Sequence, residues 1–190
     1  KNLIGAFYPP RLVIADPATL QSLPLEELRN GIAELIKHAV IADPALIPLA
    51  KEVWEDSVCR RFNPTRLSTL ARRGMTVKIR VIEADPYEKG ARAVLNFGHS
   101  IGHALEAASE YRLRHGEAVA IGMVMEARQA ERMHIAPAGL AHELSRILSS
   151  FGLPVEIPPS LRRAPMLAAL QTDKKRADGV VQFALPVRIG

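Results

Sequence analysis

Apolar residues recur at three- and four-residue spacing along most of this 190-residue chain, and most of these runs stop at a proline or a glycine. No other feature restricts the fold as firmly, because this spacing lays an apolar stripe on a helix, whereas a half-buried strand would alternate. Leu25, Leu28, Ile32, Leu35, Ile36 and Ala39 form one stripe, with Pro24 at the first turn and Asp43-Pro44 as the stop. A second helix is expected over 44–61. Asn63-Pro64 separates it from a third, with the stripe Leu67, Leu70, Ala71, Met75, Ile79 and Ile82, ending before Asp85-Pro86. Residues 98–110 and 116–135 read as two more helices. Leu140, Leu144, Ile147, Leu148 and Phe151 suit a further amphipathic one, with Gly152 at its C′ position. A short helix is expected over 166–170. Strands are expected only at the edges, over 11–16 and, after an Asp178-Gly179 turn, over 180–189. The expected fold class is mainly α: one helical domain over 1–190 with short edge strands.

Composition narrows the function classes. With 48% hydrophobic and 24% charged residues the chain can build a core and does not resemble a disordered one. Its longest strongly apolar run, 118–125, falls far short of the ~20 residues that span a bilayer. No charged-then-apolar leader opens it, and one cysteine, Cys59, cannot form an internal disulfide; a cytoplasmic soluble protein is expected. The net charge of +5 suits either nucleic acid or small phosphate-bearing molecules. The basic residues are scattered and only nine residues are aromatic, which speaks against a stacking platform for single strands. The start at Lys1 and the end at Gly190, directly after an apolar run, read as cuts from a longer protein.

The residues that can carry chemistry are few. In Asn96-Phe97-Gly98-His99-Ser100-Ile101-Gly102-His103-Ala104-Leu105-Glu106, His99 and His103 lie four apart and share a helix face, with Glu106 one turn further on. Such a pair can share a metal, divide into one ligand and one proton-transfer group, or simply be hydrogen-bonded at a helix interface. His115 opens the next helix, where Gly116 permits close approach. Two helices joined by a short loop pack antiparallel, which can bring His115 back over His99. Glu34, Lys37 and His38 lie on a polar strip of the first helix. A carboxylate with two imidazoles is a usual catalytic zinc set. Yet 65 residues separate Glu34 from His99, and a solvated Glu34–His38 pair is the plainer expectation. Lys78 falls in line with Ala71, Met75 and Ile82, on the side expected to be buried, where it can snorkel or point a charge into an anion-binding cleft. Lys174-Lys175, in a turn-rich stretch, is either solvated or a phosphate clamp.

Several motifs together resemble one family. They are Lys1-Asn2-Leu3-Ile4-Gly5-Ala6-Phe7, Gly31-Ile32-Ala33-Glu34-Leu35-Ile36-Lys37, and the run from Glu88-Lys89-Gly90 through Arg92 to Asn96-Phe97-Gly98-His99, Gly102-His103 and His115-Gly116-Glu117. Asp173-Lys174-Lys175 and Phe183-Ala184-Leu185-Pro186 close the match. In that order they resemble 3-dehydroquinate synthase, the sugar-phosphate cyclase of the shikimate pathway. The resemblance implies a two-domain enzyme, nucleotide-binding α/β plus α, of which this chain is the C-terminal metal- and substrate-binding half. It implies Glu34, His99 and His115 as ligands of zinc or cobalt. His103 and Asn96 would contact substrate and serve proton transfer, with Lys37 and Glu88 completing the polar network. Lys1, Asn2, Lys78, Arg92 and one of Lys174 or Lys175 would bind substrate, and Lys1 and Asn2 would also stand near NAD. Ser100-Ile101 replaces the Thr-Phe common in the family, between the reacting positions.

The implied substrate, 3-deoxy-D-arabino-heptulosonate 7-phosphate, carries a carboxylate and a phosphate, which explains a Lys- and Arg-rich pocket. In the implied reaction NAD oxidises the C5 hydroxyl, phosphate leaves by β-elimination, the hydride returns, and ring opening and aldol closure give 3-dehydroquinate. A homodimer is a family expectation, with no nucleic-acid or membrane partner. The isolated segment is expected to be inactive, since nothing in it matches a dinucleotide-binding loop. Other sugar-phosphate cyclases, such as 2-deoxy-scyllo-inosose synthase, and metal-dependent polyol dehydrogenases are the nearest alternatives. A helical interaction domain with packing histidines is the non-enzymatic one.

Overall fold

The structure, a computed structural model, describes residues 8, 10–172, 176–177 and 180–190. Among them are seven α-helices: α1 (Leu25–Ile41), α2 (Leu46–Val58), α3 (Pro64–Ala84), α4 (His99–Ala108), α5 (His115–Arg132), α6 (Leu140–Ser150) and α7 (Arg163–Thr172). Two 3₁₀ turns, Pro17–Ser22 and Ala91–Asn96, were not foreseen in the periodicity. The helix ends follow local chemistry. Asn63 caps α3 by accepting from the Arg66 N–H at 3.1 Å, ahead of Pro64 in the first turn. The Arg114 N–H donates to Glu117 Oε2 at 3.0 Å at the start of α5. Gly152 adopts φ +72° just beyond α6, the left-handed conformation that glycine takes without strain.

Helix α5 is the central element. It packs on α4, α1 and α6, and it buries Val119, Ala120, Met123, Val124 and Ala127 completely. A helix that is apolar on most of its faces has to be an interior one. Against it α1 sets Ile32, Ile36 and Ala39, while α6 sets Leu144 and Leu148, with Phe151 just beyond, in one continuous core. The small residues let α4 and α5 approach closely and run antiparallel. A Cβ on Gly102 would sit 3.2 Å from the Val119 backbone, and one on Gly122 would collide with the carbonyl of Gly98.

Three sequence expectations need correction. Residues 11–16 form no strand: Leu12, Val13 and Ile14 are exposed, and among the described residues no ladder partner lies beside them. Of the run 180–189, only Val180–Val181 is a strand, paired antiparallel with Arg176–Ala177. The remainder is irregular and is tied down by the Gly190 N–H, which donates to Val40 O at 2.9 Å. On α3 the buried line is Leu70, Gly74 and Val77, so Met75 and Ile79 face outward. That choice is made by Leu35 and His38 of α1, which pack against Gly74, the one position where α3 has no side chain to hold them off.

Candidate metal centre

Helices α1, α4 and α5 bring three side chains that are distant in sequence together. Glu34 Oε1 lies 3.2 Å from His99 Nε2 and 3.3 Å from His115 Nε2. One ligand atom from each of the three falls within 4.8 Å of the others, the reach of a single cation. The Gly116 N–H donates to the side chain of Asn30, and a Cβ at Gly116 would strike the Asn30 backbone. Thus Gly116 serves the crossing of α5 over α1 one turn before Glu34, which is what brings His115 to the carboxylate. The solvated Glu34–His38 pair expected from spacing does not form. His38 is buried inside α1, while Glu34 Oε2 accepts from Lys37 Nζ at 2.6 Å.

The electrostatics follow from these contacts. Burial pushes the Glu34 carboxyl upward, but hydrogen bonds with His115 and His99 and the ammonium of Lys37 outweigh it, holding the group well below the usual carboxylate range. The carboxylate therefore stays ionised, as a metal ligand must. Burial lowers the Lys37 ammonium, and Glu34 opposes that shift. His38 is pushed down to about 4 by burial and by the neighbouring Lys37 charge, so it is neutral near pH 7.

Both imidazoles are oriented from behind. His99 Nδ1 lies 3.1 Å from the Phe97 carbonyl, and His115 Nδ1 lies 3.1 Å from Glu106 Oε1. With each Nδ1 so engaged, each Nε2 is directed at Glu34, the arrangement that raises the basicity of a metal-binding histidine. Glu106, buried, is a functional residue to which sequence reasoning assigned no role. Its i+7 spacing from His99 placed it on the helix, but nothing local said that it faces the next helix. His103, Glu106 and His115 form a second group of potential ligand atoms within 4.8 Å. The His103 ring stands 5.4 Å from that of His99 and 6.1 Å from that of His115.

A cleft of about 480 Å³ opens over the cluster, lined by Glu34, Lys37, His38, Lys78, Glu88, Arg92, Leu95, Asn96, His99 and His115. His103 is not among its lining residues. Lys78 is exposed and faces this cleft, so the buried side predicted for it is corrected along with the α3 stripe. The loop carrying Glu88 and Arg92 is organised by Asp85, a second residue overlooked in the sequence. Its carboxylate accepts from the N–H groups of Lys89 (2.8 Å), Gly90 (2.8 Å) and Arg92 (3.0 Å). The N–H groups of Lys89 and Arg92 hold the Asp85 carboxyl below its ordinary value. An Asp before a proline reads only as a helix stop; the nest it fills forms after the chain turns. Lys1, Asn2, Lys174 and Lys175 lie outside the described residues. No described helix is long and apolar enough to cross a membrane.

The donor set fits a divalent ion. One carboxylate oxygen and two imidazole nitrogens suit zinc or cobalt and leave coordination positions open toward the cleft. The chain is 44% identical over its whole length to a 3-dehydroquinate synthase from Symbiobacterium thermophilum, of which it covers 53%, and 42% identical to one from Synechocystis, again covering 53%. It spans about half the length of the curated relatives it matches. Among solved structures, a 2-epi-5-epi-valiolone synthase from Streptomyces hygroscopicus with NAD⁺ and Zn²⁺ bound matches all of this chain with 52% of its own, at a TM-score of 0.84 and 30% identity. A 2-deoxy-scyllo-inosose synthase complexed with carbaglucose-6-phosphate, NAD⁺ and Co²⁺ matches 93% of the chain with 47% of its own, at a TM-score of 0.75 and 30% identity. Helices, motifs and relatives agree: over residues 31–176 the chain matches the model of the 3-dehydroquinate synthase C-terminal family, and to that family it belongs.

Proposed function

We propose that this chain is the metal- and substrate-binding domain of an enzyme that converts 3-deoxy-D-arabino-heptulosonate 7-phosphate to 3-dehydroquinate and phosphate. The convergence of Glu34, His99 and His115 beneath a cleft edged with Lys37, Lys78 and Arg92 carries this reading. Glu34, His99 and His115 would hold a zinc or cobalt ion, which supplies Lewis acidity toward a substrate hydroxyl. NAD, bound chiefly by a domain outside this chain, would supply the hydride chemistry.

The chain's own residues bind, orient and move protons. Arg92 and Lys78 line the cleft and would meet the substrate's anionic groups, Arg92 through its planar fork and Lys78 as a point charge. Lys1, Asn2 and one of Lys174 or Lys175 would complete that binding. Asn96 lines the cleft beside His99 and would hydrogen-bond a substrate hydroxyl. Lys37, buried against Glu34, keeps the carboxylate charged and offers a further donor toward the cleft. Glu88 lines the same cleft and would add a carboxylate to its polar network. His103, beside the two histidine ligands, would take part in proton transfer from the edge of the site. Activity belongs to the cytoplasm and to a homodimer in this reading.

Metal content by mass spectrometry tests it first, in the full-length protein that carries this chain. The wild type is expected to retain one equivalent of zinc or cobalt, and Glu34→Ala, His99→Ala and His115→Ala each to lose it. Turnover of the heptulosonate phosphate with stoichiometric phosphate release completes the test. Turnover of glucose 6-phosphate instead would assign the chain to a different cyclase, and a folded wild type without metal would refute the reading.

A further inference from the structure

Ten residues of α5, 118–127, contain a single charged side chain, Glu126. It is fully buried, in a stretch where Val119, Ala120, Met123 and Ala127 are fully buried as well. A carboxylate in such a place costs stability unless its partners are specific, so its contacts indicate what it is there to hold. Glu126 Oε2 accepts the Gly98 N–H at 2.7 Å, a bond within the protein interior between residues 28 apart in sequence. Gly98 is the turn that delivers His99. It sits at φ +77°, and a Cβ there would come within 2.5–2.7 Å of Met123 and of the Val119 carbonyl. The Gly98 carbonyl takes the first bond of α4 from the Gly102 N–H at 2.9 Å. On the near side of the same turn, the Phe97 carbonyl engages His99 Nδ1. The turn is thus gripped at its middle N–H by the helix whose first residue is His115.

We propose that Glu126 is a positioning residue for the metal ligand His99: by binding the Gly98 N–H it locks the Phe97–His99 turn to α5 and sets the distance between His99 and His115. The inference rests on the reading of Glu34, His99 and His115 as metal ligands, and not on the identity of the substrate. Neither the spacing of the histidines nor the family motifs single out Glu126, whose Oε2 accepts from a backbone N–H just before another helix.

Cobalt(II) binding to the metal-free full-length protein tests the proposal, read by competition with a chromophoric chelator and by the ligand-field absorption bands. Wild type, His99→Ala, Glu126→Ala, Glu126→Met and Glu126→Gln form the series. Glu126→Ala is expected to weaken Co²⁺ binding roughly 10- to 100-fold and to shift the bands, the range seen when the group orienting a metal ligand is removed. Glu126→Met, which keeps the bulk of the side chain without the acceptor, is expected to do the same and carries the test if the alanine variant does not fold. Glu126→Gln retains an acceptor oxygen and is expected to stay within about threefold of wild type with unshifted bands. Folded Ala or Met variants that bind Co²⁺ as wild type does, with the same bands and only a lower melting temperature, would overturn the proposal. A wild type that binds no more Co²⁺ than His99→Ala would overturn the metal-site reading itself, and this inference with it.

Discussion

Glu34 touches both imidazoles through one oxygen and Lys37 through the other, so a single carboxylate organises three cationic or N–H-bearing groups drawn from α1, α4 and α5. Directly behind it His38 takes the opposite course. Burial and the charge of Lys37 keep it neutral down to about pH 4, with Glu34 opposing and Lys78 adding to the shift. The sign of its contribution follows from linkage. A histidine whose folded pKa lies below its unfolded value of ~6.5 binds fewer protons folded than unfolded between those two values, so stability falls as pH drops through that window. The loss attributable to His38 is at most about 3 kcal/mol between pH 6.5 and 4. Urea unfolding at several pH values, on wild type and His38→Gln, measures it. The wild type is expected to lose more stability than the variant on acidification, and parallel curves would show that His38 titrates normally.

Among the elements, the loop between α3 and the Ala91–Asn96 turn is the one whose shape matters most to the cleft. Three backbone N–H groups converge on Asp85, and the positive φ of Glu88 (+55°) lies inside the loop they close. Hydrogen bonds to a charged acceptor are stronger than neutral ones, and three of them on one carboxylate hold the loop in one conformation. Asp85→Ala should therefore release Arg92 and Glu88 while leaving the metal ligands in place. In the full-length enzyme it is expected to raise KM for the phosphorylated substrate roughly tenfold or more, with metal content unchanged. Loss of metal from Asp85→Ala, or an unaltered KM, would contradict this role. The same element explains why the 3₁₀ turn was invisible to periodicity: six residues are too few to set an apolar stripe, and the loop's donors are satisfied by one side chain rather than by a helix ladder.

Viewed as a whole molecule, the chain supplies a ligand cluster and a cleft edged with lysine and arginine. The described residues, however, leave Leu12, Val13 and Ile14 in solvent, and the curated relatives are about twice as long. The 190-residue segment alone is expected to show no turnover when NAD, zinc and the heptulosonate phosphate are supplied, and the full-length protein is expected to turn it over. Measured turnover by the segment alone would mean that hydride transfer needs nothing beyond the residues described.

Periodicity and punctuation determined the helices. Each of the seven begins or ends within about two residues of a proline, a glycine or an Asn/Asp signal, because caps and breakers act through atoms only a few bonds away. The His99–His103 spacing and the glycines around it were likewise local, and they marked α4 as a place where chemistry could occur. The sequence could not decide which residues meet across helices. Glu34 joins His99 only because Gly116 lets α5 cross α1 and Gly98 lets α4 pack on α5. Glu106, Asp85 and Glu126 act on an imidazole or on backbone N–H groups that come within reach only after the chain has turned. The strand expected over 11–16 did not form, and the one expected over 180–189 shrank to Val180–Val181, for the complementary reason. A β-branched run states that a segment can pair, but a strand exists only where tertiary structure puts another edge beside it.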